Sequence, residues 1–486
     1  MTQNDKPTRR AAGLWISGIC MVLLIASLAA VGSGWAVRRA MLSTREADPA
    51  MSDRVKAEIM AVAMFPATAR DTLRVLAGGL NNPFLSSRSD KEKPYWTRRF
   101  PAPEDSGYIL YTGLYRGESS PGVKLIRIAD GQVLASWTPD WGNIYSRLTK
   151  KKFQDDVDVS NIEATNPVLL DNGDVIFPTA TGLVRQPACS RESAWVLDEI
   201  AHHSTDLDLD GESIWVPSVS KNAFEGNRRL RSFVRDDAIA RFSLGGKLID
   251  RRSMAAISNA NDLDFLLFNG NKDNDFNRDP IHMNQIRVAR MDSKFWQKGD
   301  LLVSLRNPNT VLLYRPSTNA VIWRQTGPWI HQHSADFVND HQISVFNNNS
   351  VLKSPEEYAF LTPQSINQVM VYDFETNKIT QPFKQLLEQA RPRSIVAGRA
   401  RLLPDGGLFL EETGNGRMLR FSRDRLVWSF VNDHDEKYIG ALSDGSSYLT
   451  ADEARKPLEA LAARHCGAAG AGAAASAASP TPLSGS

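Results

Sequence analysis

Short runs in which apolar and polar residues alternate dominate the middle of this chain. Each run leads through a tight turn rich in Asp, Asn or Gly into a second alternating run, as in "VLLDNGDVIFPTATGLVR", "RLLPDGGLFLEETGNGRMLRFS" and "ALSDGSSYLT". Alternation with a period of two is typical of strands that bury one face, and Asn-Gly and Asp-Gly turns are typical of β-hairpins. The pattern therefore predicts an all-β domain built from hairpins.

The hairpin unit recurs along the chain and often continues into further strands. "TVLLYRPSTNAVIWRQ" and "NQVMVYDFETNKITQP" each have another turn before an outer strand. Four short antiparallel strands in a repeated unit predict a β-propeller. We expect six blades, near residues 105–140, 165–200, 203–252, 282–326, 333–383 and 397–432, and an extra hairpin at 437–450 that closes the ring. Two packed sheets are the alternative, and they fit the repeated unit less well.

A long uncharged run, residues 11–37, lies near the N-terminus. About 20 apolar residues suffice to cross a bilayer, and Trp15 and Trp35 lie where interfacial aromatic residues are favoured. We predict a transmembrane signal anchor at 13–37, preceded by a cytoplasmic tail at 1–12. A cleaved signal peptide is the alternative. Basic residues flank both ends of the run, so the positive-inside rule gives only a weak orientation.

The regions that flank the predicted propeller have a different composition. Residues 38–104 combine helical spacing of apolar residues with a polar, Pro-containing stretch, which predicts a stem. The propeller is then expected at 105–455. Residues 456–486 end in "GAAGAGAAASAASPTPLSGS", a low-complexity composition that predicts a disordered tail.

Composition and charge narrow the class of function. The net charge of +2 and the charged fraction of 23% are ordinary for a globular protein and give no support for a nucleic-acid partner. Of the three cysteines, Cys20 lies in the apolar run. Cys189 and Cys466 are left as a possible disulfide pair in an oxidising compartment, or as two thiols.

Three of the eight histidines directly precede strand-like runs in three consecutive predicted blades. They are His203, His282 and His333. In a propeller the innermost strand of each blade lines the central channel, so residues that open those strands converge at one mouth of the channel. We therefore expect these three side chains to face one another.

The same segments carry a family resemblance. "IHMN" (281–284), "SLRNPNTV" (304–311), "VIWRQTGP" (321–328) and "QHSADF" (332–337) follow one another in the order found in the bacterial arylsulfate sulfotransferases. "HHSTDLDLDG" is similar to a further histidine segment of that family, with Ser204 in place of an aspartate. The resemblance covers roughly residues 165–450.

The resemblance implies a fold, a reaction and a site. It implies a six-bladed propeller that moves sulfuryl groups from an aryl sulfate to a phenol-like acceptor through a sulfohistidine, without phosphoadenosine phosphosulfate or another cofactor. It further implies His333 as the nucleophile, His203 as the acid–base residue, with His202 as an alternative, and an oxyanion clamp of His282, Asn284 and Arg306. With the predicted anchor, it implies a single-pass protein of the bacterial inner membrane whose catalytic domain lies in the periplasm or outside the cell.

The residue types suit this chemistry on physical grounds. In sulfuryl transfer, as in phosphoryl transfer, charge spreads over the peripheral oxygens, so fixed donors such as the planar fork of Arg306 are needed. Neutral imidazole is a competent nucleophile and proton acceptor near neutral pH. His331 also precedes the strand-like run that follows His333, and we expect it in the approach loop after Pro328.

Two other classes of protein remain open. Several histidines around a channel can bind zinc or copper, although the neighbouring Arg306 would repel a cation. A propeller can also bind a partner or ligand without catalysis. "NKDNDFNRD" (271–279) is rich in carboxylates and is interpreted as a solvated loop, with a calcium loop as the alternative.

Overall fold

A computed structural model gives the fold of the second of two compact units, Met1–Asn82 and Pro83–Ser486. The described residues are 85–87, 99–116, 118, 120–148, 163–179, 181–220, 235–267, 279–350, 366–434, 438–440 and 442–464. The predicted tail at 1–12 and the predicted anchor at 13–37 lie outside them. Within the described ranges, no helix has both the length and the apolar character that a membrane span requires.

Six antiparallel four-stranded sheets form the blades, which confirms the predicted all-β, six-bladed propeller. Blade 1 contains β2 (Tyr108–Gly113), β3 (Gly122–Arg127), β4 (Val133–Trp137) and β26 (Ser447–Leu449); blade 2 contains β5 (Val168–Leu169), β6 (Val175–Pro178), β7 (Leu183–Gln186) and β8 (Trp195–Leu197); blade 3 contains β9 (Asp206–Leu207), β10 (Ser213–Val219), β11 (Asp237–Ser243) and β12 (Leu248–Ser253).

The second half of the ring repeats this arrangement. Blade 4 contains β13 (Met283–Val288), β14 (Leu301–Leu305), β15 (Thr310–Arg315) and β16 (Ala320–Thr326); blade 5 contains β17 (Ala335–Phe337), β18 (Gln342–Asn347), β19 (Gln368–Asp373) and β20 (Lys378–Thr380); blade 6 contains β21 (Arg399–Leu402), β22 (Leu408–Glu412), β23 (Arg417–Phe421) and β24 (Leu426–Val431). In the described residues, four helices connect strands or follow the last one: α1 (Trp141–Arg147), α2 (Met254–Ala260), α3 (Lys384–Ala390) and α4 (Ala451–Ala463). Two 3-10 turns cover Asp264–Leu266 and Thr413–Asn415.

The predicted Asn and Gly turns connect the strands of several blades. In blade 4, Asn319 adopts a left-handed backbone conformation (φ 55°) and its Oδ1 accepts a 2.7 Å hydrogen bond from the Tyr314 hydroxyl. Asn377 does the same in blade 5 (φ 54°), with a 2.9 Å bond from Tyr372. Asn tolerates this conformation better than most residues, so the same turn recurs where the sequence repeats Tyr and Asn at the same spacing.

The hydrophobic core is divided among the contacts between blades. Each of six buried apolar clusters lies between two adjacent blades around the ring. The two middle strands of each blade are buried along most of their length, whereas outer strands such as β12, β16 and β20 are partly exposed. Burial of apolar surface between blades therefore holds the ring together and leaves the polar ends of the inner strands at the channel.

The ring closes between the two ends of the described chain, but not through a hairpin. β26 pairs with β2 in the register Ile109↔Tyr448 and becomes the inner strand of blade 1. The predicted partner of β26 in a hairpin, β25 (Tyr438–Gly440), pairs instead with β1 (Leu85–Ser87). The predicted closure is confirmed and the predicted hairpin is wrong, because the residues between β25 and β26 cross to the channel instead of turning back.

The predicted boundaries of the stem and tail also differ from the structure. Phe100 and Ala102, assigned to the stem at 38–104, are buried in the core between blades 6 and 1. At the other end, α4 runs past the predicted boundary at 456. A capping box of Thr450 and Glu453 begins this helix, and Leu461 packs against the core between blades 1 and 2. The capping box and the packing of Leu461 thus extend the helix into the predicted tail.

Cys189 is disulfide-bonded. Cys466 lies outside the described residues, so the pairing of these two cysteines stays a prediction.

Candidate functional site

Segments from all six blades form a ring around one mouth of the central channel. Each segment precedes or opens the innermost strand of its blade. Neighbouring segments are joined by contacts of Asp444 with Asn166 (2.9 Å), Asn166 with Thr205 (2.7 Å), His203 with His282 (ring centroids 4.9 Å), Asn284 with Gln332 (2.8 Å), His333 with Ala397 (3.0 Å) and Gly398 with Asp444 (3.0 Å). Residues far apart in sequence therefore meet at one place, as the propeller prediction required.

The structure brings all five predicted site residues to this mouth. They are His203, His282, Asn284, Arg306 and His333. His203 and His282 have left-handed backbone conformations (φ 63° and 49°), which are uncommon for residues with a β-carbon. Such conformations cluster at functional sites, where the surrounding structure holds them. The roles assigned to these residues stay predictions.

A chain of contacts determines which nitrogen of His203 carries a proton. His202 Nε2 lies 3.3 Å from the carbonyl oxygen of Ser218, which can only accept, so this nitrogen carries a hydrogen. Burial lowers the pKa of His202, and the ring is neutral near pH 7. Its Nδ1 is therefore an acceptor, and it takes the hydrogen bond from His203 Nδ1 at 2.8 Å. Burial also lowers the pKa of His203 well below its ordinary value, which favours the neutral ring and leaves its Nε2 without a proton.

This chain distinguishes His203 from its alternative, His202. Both ring nitrogens of His202 have partners, and its side chain is buried. Behind it, Asp237 Oδ1 lies 3.6 Å from Nε2 and accepts a 2.8 Å hydrogen bond from Arg235. His202 thus has the geometry of a residue that orients His203, whose ring contacts His282.

His282 is held by a carboxylate that belongs to its own segment. Its Nδ1 lies 2.5 Å from Asp279 Oδ2, and its backbone N–H donates to Asp279 Oδ1 at 3.1 Å. The carboxylate accepts the Nδ1 hydrogen, so Nε2 is the nitrogen available to a ligand. The carbonyl of His282 also accepts the backbone N–H of Arg306 at 3.1 Å, which connects the two predicted clamp residues.

Arg306 and Asn284 present polar atoms without partners. Arg306 Nη1 donates to Asn307 Oδ1 at 2.8 Å, and Asn284 Nδ2 donates to the carbonyl of Gln332. Within the described part of the chain, Arg306 Nη2 and Asn284 Oδ1 are buried and have no hydrogen-bond partner. Buried donors and acceptors are almost always satisfied in folded proteins, so two open groups in one place suit a ligand.

His333 is neutral and almost completely buried. Its side chain is in contact with Asn348, whose Oδ1 lies 2.6 Å from His333 Nδ1, and its Nε2 accepts the Ala397 N–H at 3.0 Å. Burial and the nearby charge of Arg306 lower its pKa to about 3. A neutral imidazole has a lone pair at any physiological pH, which a nucleophile requires.

His331 lies in the approach to β17, as the sequence predicted. Its Nδ1 contacts the carbonyl oxygen of Ser350 at 2.7 Å, and its backbone adopts φ 50°. Burial and the charge of Arg306 lower its pKa to about 4. His331 thus lies close to the site, and its Nδ1 is occupied by the contact with the Ser350 carbonyl.

Three carboxyl groups, one of them buried and two partly buried, lie on the opposite side of the mouth, and sequence reasoning missed them. They are Glu163, Glu411 and Asp444, and burial raises their pKa values to about 7, about 8 and about 6. Asp444 Oδ1 accepts the Gly398 N–H, next to the residue that contacts His333. Their positions depend on contacts between blades, which no local pattern reveals.

The partners of the histidines were also missed. Asp279 precedes His282 by three residues, and this spacing was a usable signal, although the stretch was interpreted as a solvated loop. Asn348 and Asp237 carry no comparable signal, because they approach the histidines from other strands. Residues 271–278 lie outside the described ranges.

No group of three or more His, Cys, Asp or Glu side chains in the described ranges is arranged to hold a metal ion. The buried guanidinium of Arg306 lies beside the histidines at the channel mouth and would repel a cation bound there. The side chains present here suit an anionic group better than a metal.

Comparisons with known proteins give one informative match. A family model described as "Arylsulfotransferase (ASST)" matches residues 183–433, just over half of the chain, and the match includes all five predicted site residues. No curated protein sequence matches the chain.

Solved structures give only distant similarities. The chain is similar to a protein of unknown function from Bacteroides caccae (12% identity, TM-score 0.43, 71% of this chain and 99% of that chain) and to Kuenenia stuttgartiensis hydrazine synthase (10%, 0.34, 67% and 78%). It is also similar to the Neurospora crassa Pan2 WD40 domain (8%, 0.36, 75% and 96%). At these TM-scores the similarities support no conclusion about activity.

Proposed function

The chain belongs to the arylsulfotransferase (ASST) family, and from this premise we propose that it moves a sulfuryl group from an aryl sulfate to a phenol-like or other hydroxyl acceptor through a sulfohistidine at His333. No phosphoadenosine phosphosulfate takes part in the proposed reaction. The observation that carries the proposal is a neutral, buried His333 beside Arg306, whose Nη2 has no partner in the described part of the chain.

In the first displacement, the lone pair of His333 Nε2 forms a bond to sulfur while the S–O bond to the aryl group breaks. The electron pair of that bond leaves with the aryl oxide. Arg306 Nη2 and the second amide hydrogen of Asn284 are donors for the sulfuryl oxygens. His282 keeps its Nδ1 hydrogen on Asp279, so its Nε2 joins this clamp as a donor in the imidazolium form. Donors fixed before the reaction stabilise developing charge at no cost of reorganisation.

In the second displacement, the acceptor hydroxyl attacks sulfur and loses its proton. His203 suits the role of base because its Nε2 is unprotonated and its Nδ1 is held by His202. The N–S bond breaks and its electron pair returns to His333 Nε2. The proton taken up by His203 is then available to the aryl oxide released in the next cycle.

Covalent labelling tests the proposal directly. After brief exposure to an aryl sulfate, we expect mass spectrometry to find one added sulfuryl group on His333. His333→Ala should lose both label and transfer, since no neighbour reproduces the geometry of a removed nucleophile. His331→Ala is the matched control, and it should keep the label.

A label on His331 in the native protein, or a label that survives in His333→Ala, contradicts the assignment. A non-catalytic propeller would give neither label nor turnover with any aryl sulfate. The two outcomes therefore separate a wrong residue from a wrong function.

We further propose that the protein is anchored in the bacterial inner membrane by residues 13–37, with the propeller in the periplasm or outside the cell. The uncharged run and its flanking tryptophans support this. The intact protein should sediment with membranes and resist carbonate extraction, and external protease should remove the propeller from spheroplasts. A soluble mature chain that begins near residue 35 would show that the run is a cleaved signal peptide.

A further inference from the structure

The amide of Asn348 can lie only one way round beside His333. Its Nδ2 donates to the carbonyl oxygens of Ala397 (2.7 Å) and Ser394 (3.0 Å), which can only accept. The other end of the amide, Oδ1, therefore faces His333 Nδ1 at 2.6 Å. Because Oδ1 can only accept, His333 Nδ1 carries the hydrogen.

An independent contact at the other ring nitrogen agrees. His333 Nε2 lies 3.0 Å from the backbone nitrogen of Ala397, and a backbone N–H is always a donor. Nε2 is therefore the acceptor, which in a neutral ring means the nitrogen with the lone pair. The contacts at both nitrogens therefore indicate the same tautomer, with the hydrogen on Nδ1 and the lone pair on Nε2.

We propose that Asn348 is a positioning residue, which selects the Nδ1–H form of His333 so that Nε2 is the atom that takes the sulfuryl group. This inference rests on the proposed function for the identity of the transferred group. Asn348 does not touch the reacting atoms, and it acts through the imidazole ring.

The hydrogen bond also strengthens during the reaction. As the N–S bond forms at Nε2 and the S–O bond of the donor breaks, the ring gains positive charge while Nδ1 keeps its proton. The amide oxygen of Asn348 then accepts from a cationic donor, and charge-assisted hydrogen bonds are stronger than neutral ones. Asn348 therefore stabilises the product of the first displacement more than the resting ring.

The Ala397 N–H must leave the Nε2 lone pair before sulfur can approach it. Once sulfur occupies that position, the same N–H is close to the sulfuryl oxygens and becomes a donor to them. The resting contact keeps the lone pair aimed at the place where sulfur arrives, and the Asn348 amide holds the Ala397 carbonyl in the same residue. The His333 ring, the Asn348 amide and the Ala397 peptide are therefore joined by hydrogen bonds to one another.

Histidine ¹⁵N NMR tests the tautomer without any substrate. In wild-type protein at neutral pH, with His333 assigned by comparison with His333→Ala, Nδ1 should appear as a protonated nitrogen and Nε2 as an unprotonated one. In Asn348→Ala, Nδ1 keeps its longer contact with the His331 carbonyl (3.3 Å), but the Ala397 peptide loses the amide that holds it. We therefore expect a smaller share of the Nδ1–H tautomer and a fall in kcat of roughly a hundredfold with little change in KM, since a wrong tautomer disables a histidine that is otherwise in place.

Asn367→Ala is the matched control. Asn367 binds the same Ser394 carbonyl and the backbone carbonyl of Asn348 but not His333, so this variant loosens the local network and should keep the tautomer. A protonated Nε2 in the wild-type spectrum would overturn the inference without any variant. So would equal effects of Asn348→Ala and Asn367→Ala on tautomer and kcat. If the tautomer is as expected and no sulfuryl label forms on wild-type protein, the proposed function fails and the positioning of His333 by Asn348 stands.

Discussion

The two sides of the channel mouth both combine buried and partly buried titratable groups, but their chemistry is opposite. Blades 3, 4 and 5 contribute the histidine side, which we define as His203, His282, His333 and Arg306. Blades 6, 1 and 2 contribute the carboxylate side, defined as Glu163, Glu411 and Asp444. Burial lowers the pKa values of His203 and His333 and raises those of all three carboxyl groups.

The same cause, loss of water, therefore drives both sides toward their neutral forms. Arg306 keeps its charge, because a guanidinium does not lose its proton in proteins even when burial lowers its pKa. An anionic sulfate that enters this mouth meets one fixed cation on the histidine side. On the carboxylate side it meets less negative charge than three ordinary carboxylates would present. Burial thus keeps the histidines neutral, as a nucleophile and a base require, and it reduces the negative charge that an anion would meet on the carboxylate side.

The largest effect that tests this division is expected from Arg306→Lys. Lysine keeps the positive charge but loses the planar fork, so the donor aimed at the sulfuryl oxygens is lost. We expect turnover of an aryl sulfate to fall roughly tenfold to a thousandfold, as when one oxyanion donor is removed. Steady-state kinetics on protein with unchanged circular dichroism measures this.

Arg399→Lys is the matched variant on the other side of the mouth. Arg399 is buried, and its Nη1 donates to Asn166 Oδ1 at 2.6 Å and to Ser447 Oγ at 2.9 Å. These contacts join blades 6, 2 and 1, so the variant should lose stability and keep most of its turnover per folded molecule. If both variants lose turnover equally, the assignment of catalysis to the histidine side alone is wrong.

The fold and the histidine side could be predicted because their signals are local. Asp, Asn and Gly turns mark each hairpin within a few residues, and the turn at Asn319 recurs at Asn377 for the same steric reason. His203, His282 and His333 lie at equivalent positions of successive units. Once the propeller was predicted, their convergence followed from its topology alone.

The carboxylate side and the partners of the histidines could not be predicted in the same way. Asn348 reaches His333 from the end of β18, and Glu411 meets Gly445 of the ring-closing segment at 3.1 Å. The first contact depends on the strand register inside blade 5 and the second on how blades 6 and 1 pack. The pKa shifts depend on burial, which a single sequence does not reveal. The pairing of β25 with β1, found in place of the predicted hairpin at 437–450, was missed for the same reason, since it joins residues at opposite ends of the domain.

A smaller effect, on stability rather than turnover, is expected from Glu411→Gln. Burial and the neighbouring Asp444 raise the pKa of Glu411 from 4.5 to about 8. A carboxyl group whose pKa is higher in the folded state binds more protons there than in the unfolded state. Its stabilising contribution is complete below the unfolded value and is lost as pH rises toward the folded value. The wild-type protein should therefore lose stability between about pH 5 and about pH 9.

Glutamine has nearly the same shape and does not titrate, so Glu411→Gln should lose less stability over that interval, as measured by the midpoint of urea unfolding at each pH. Glu453→Gln is the control. Burial acts to raise the pKa of Glu453, but its ion pair with Arg401 (2.6 Å) lowers that pKa overall. The stability that Glu453 contributes to the protein is therefore lost in acid instead of in alkali. Glutamine can also keep its place in the capping box of α4. An alkaline loss that is as large in Glu411→Gln as in wild type would show that Glu411 is ionised in the folded protein, and the carboxylate side would then oppose an anion instead of admitting one.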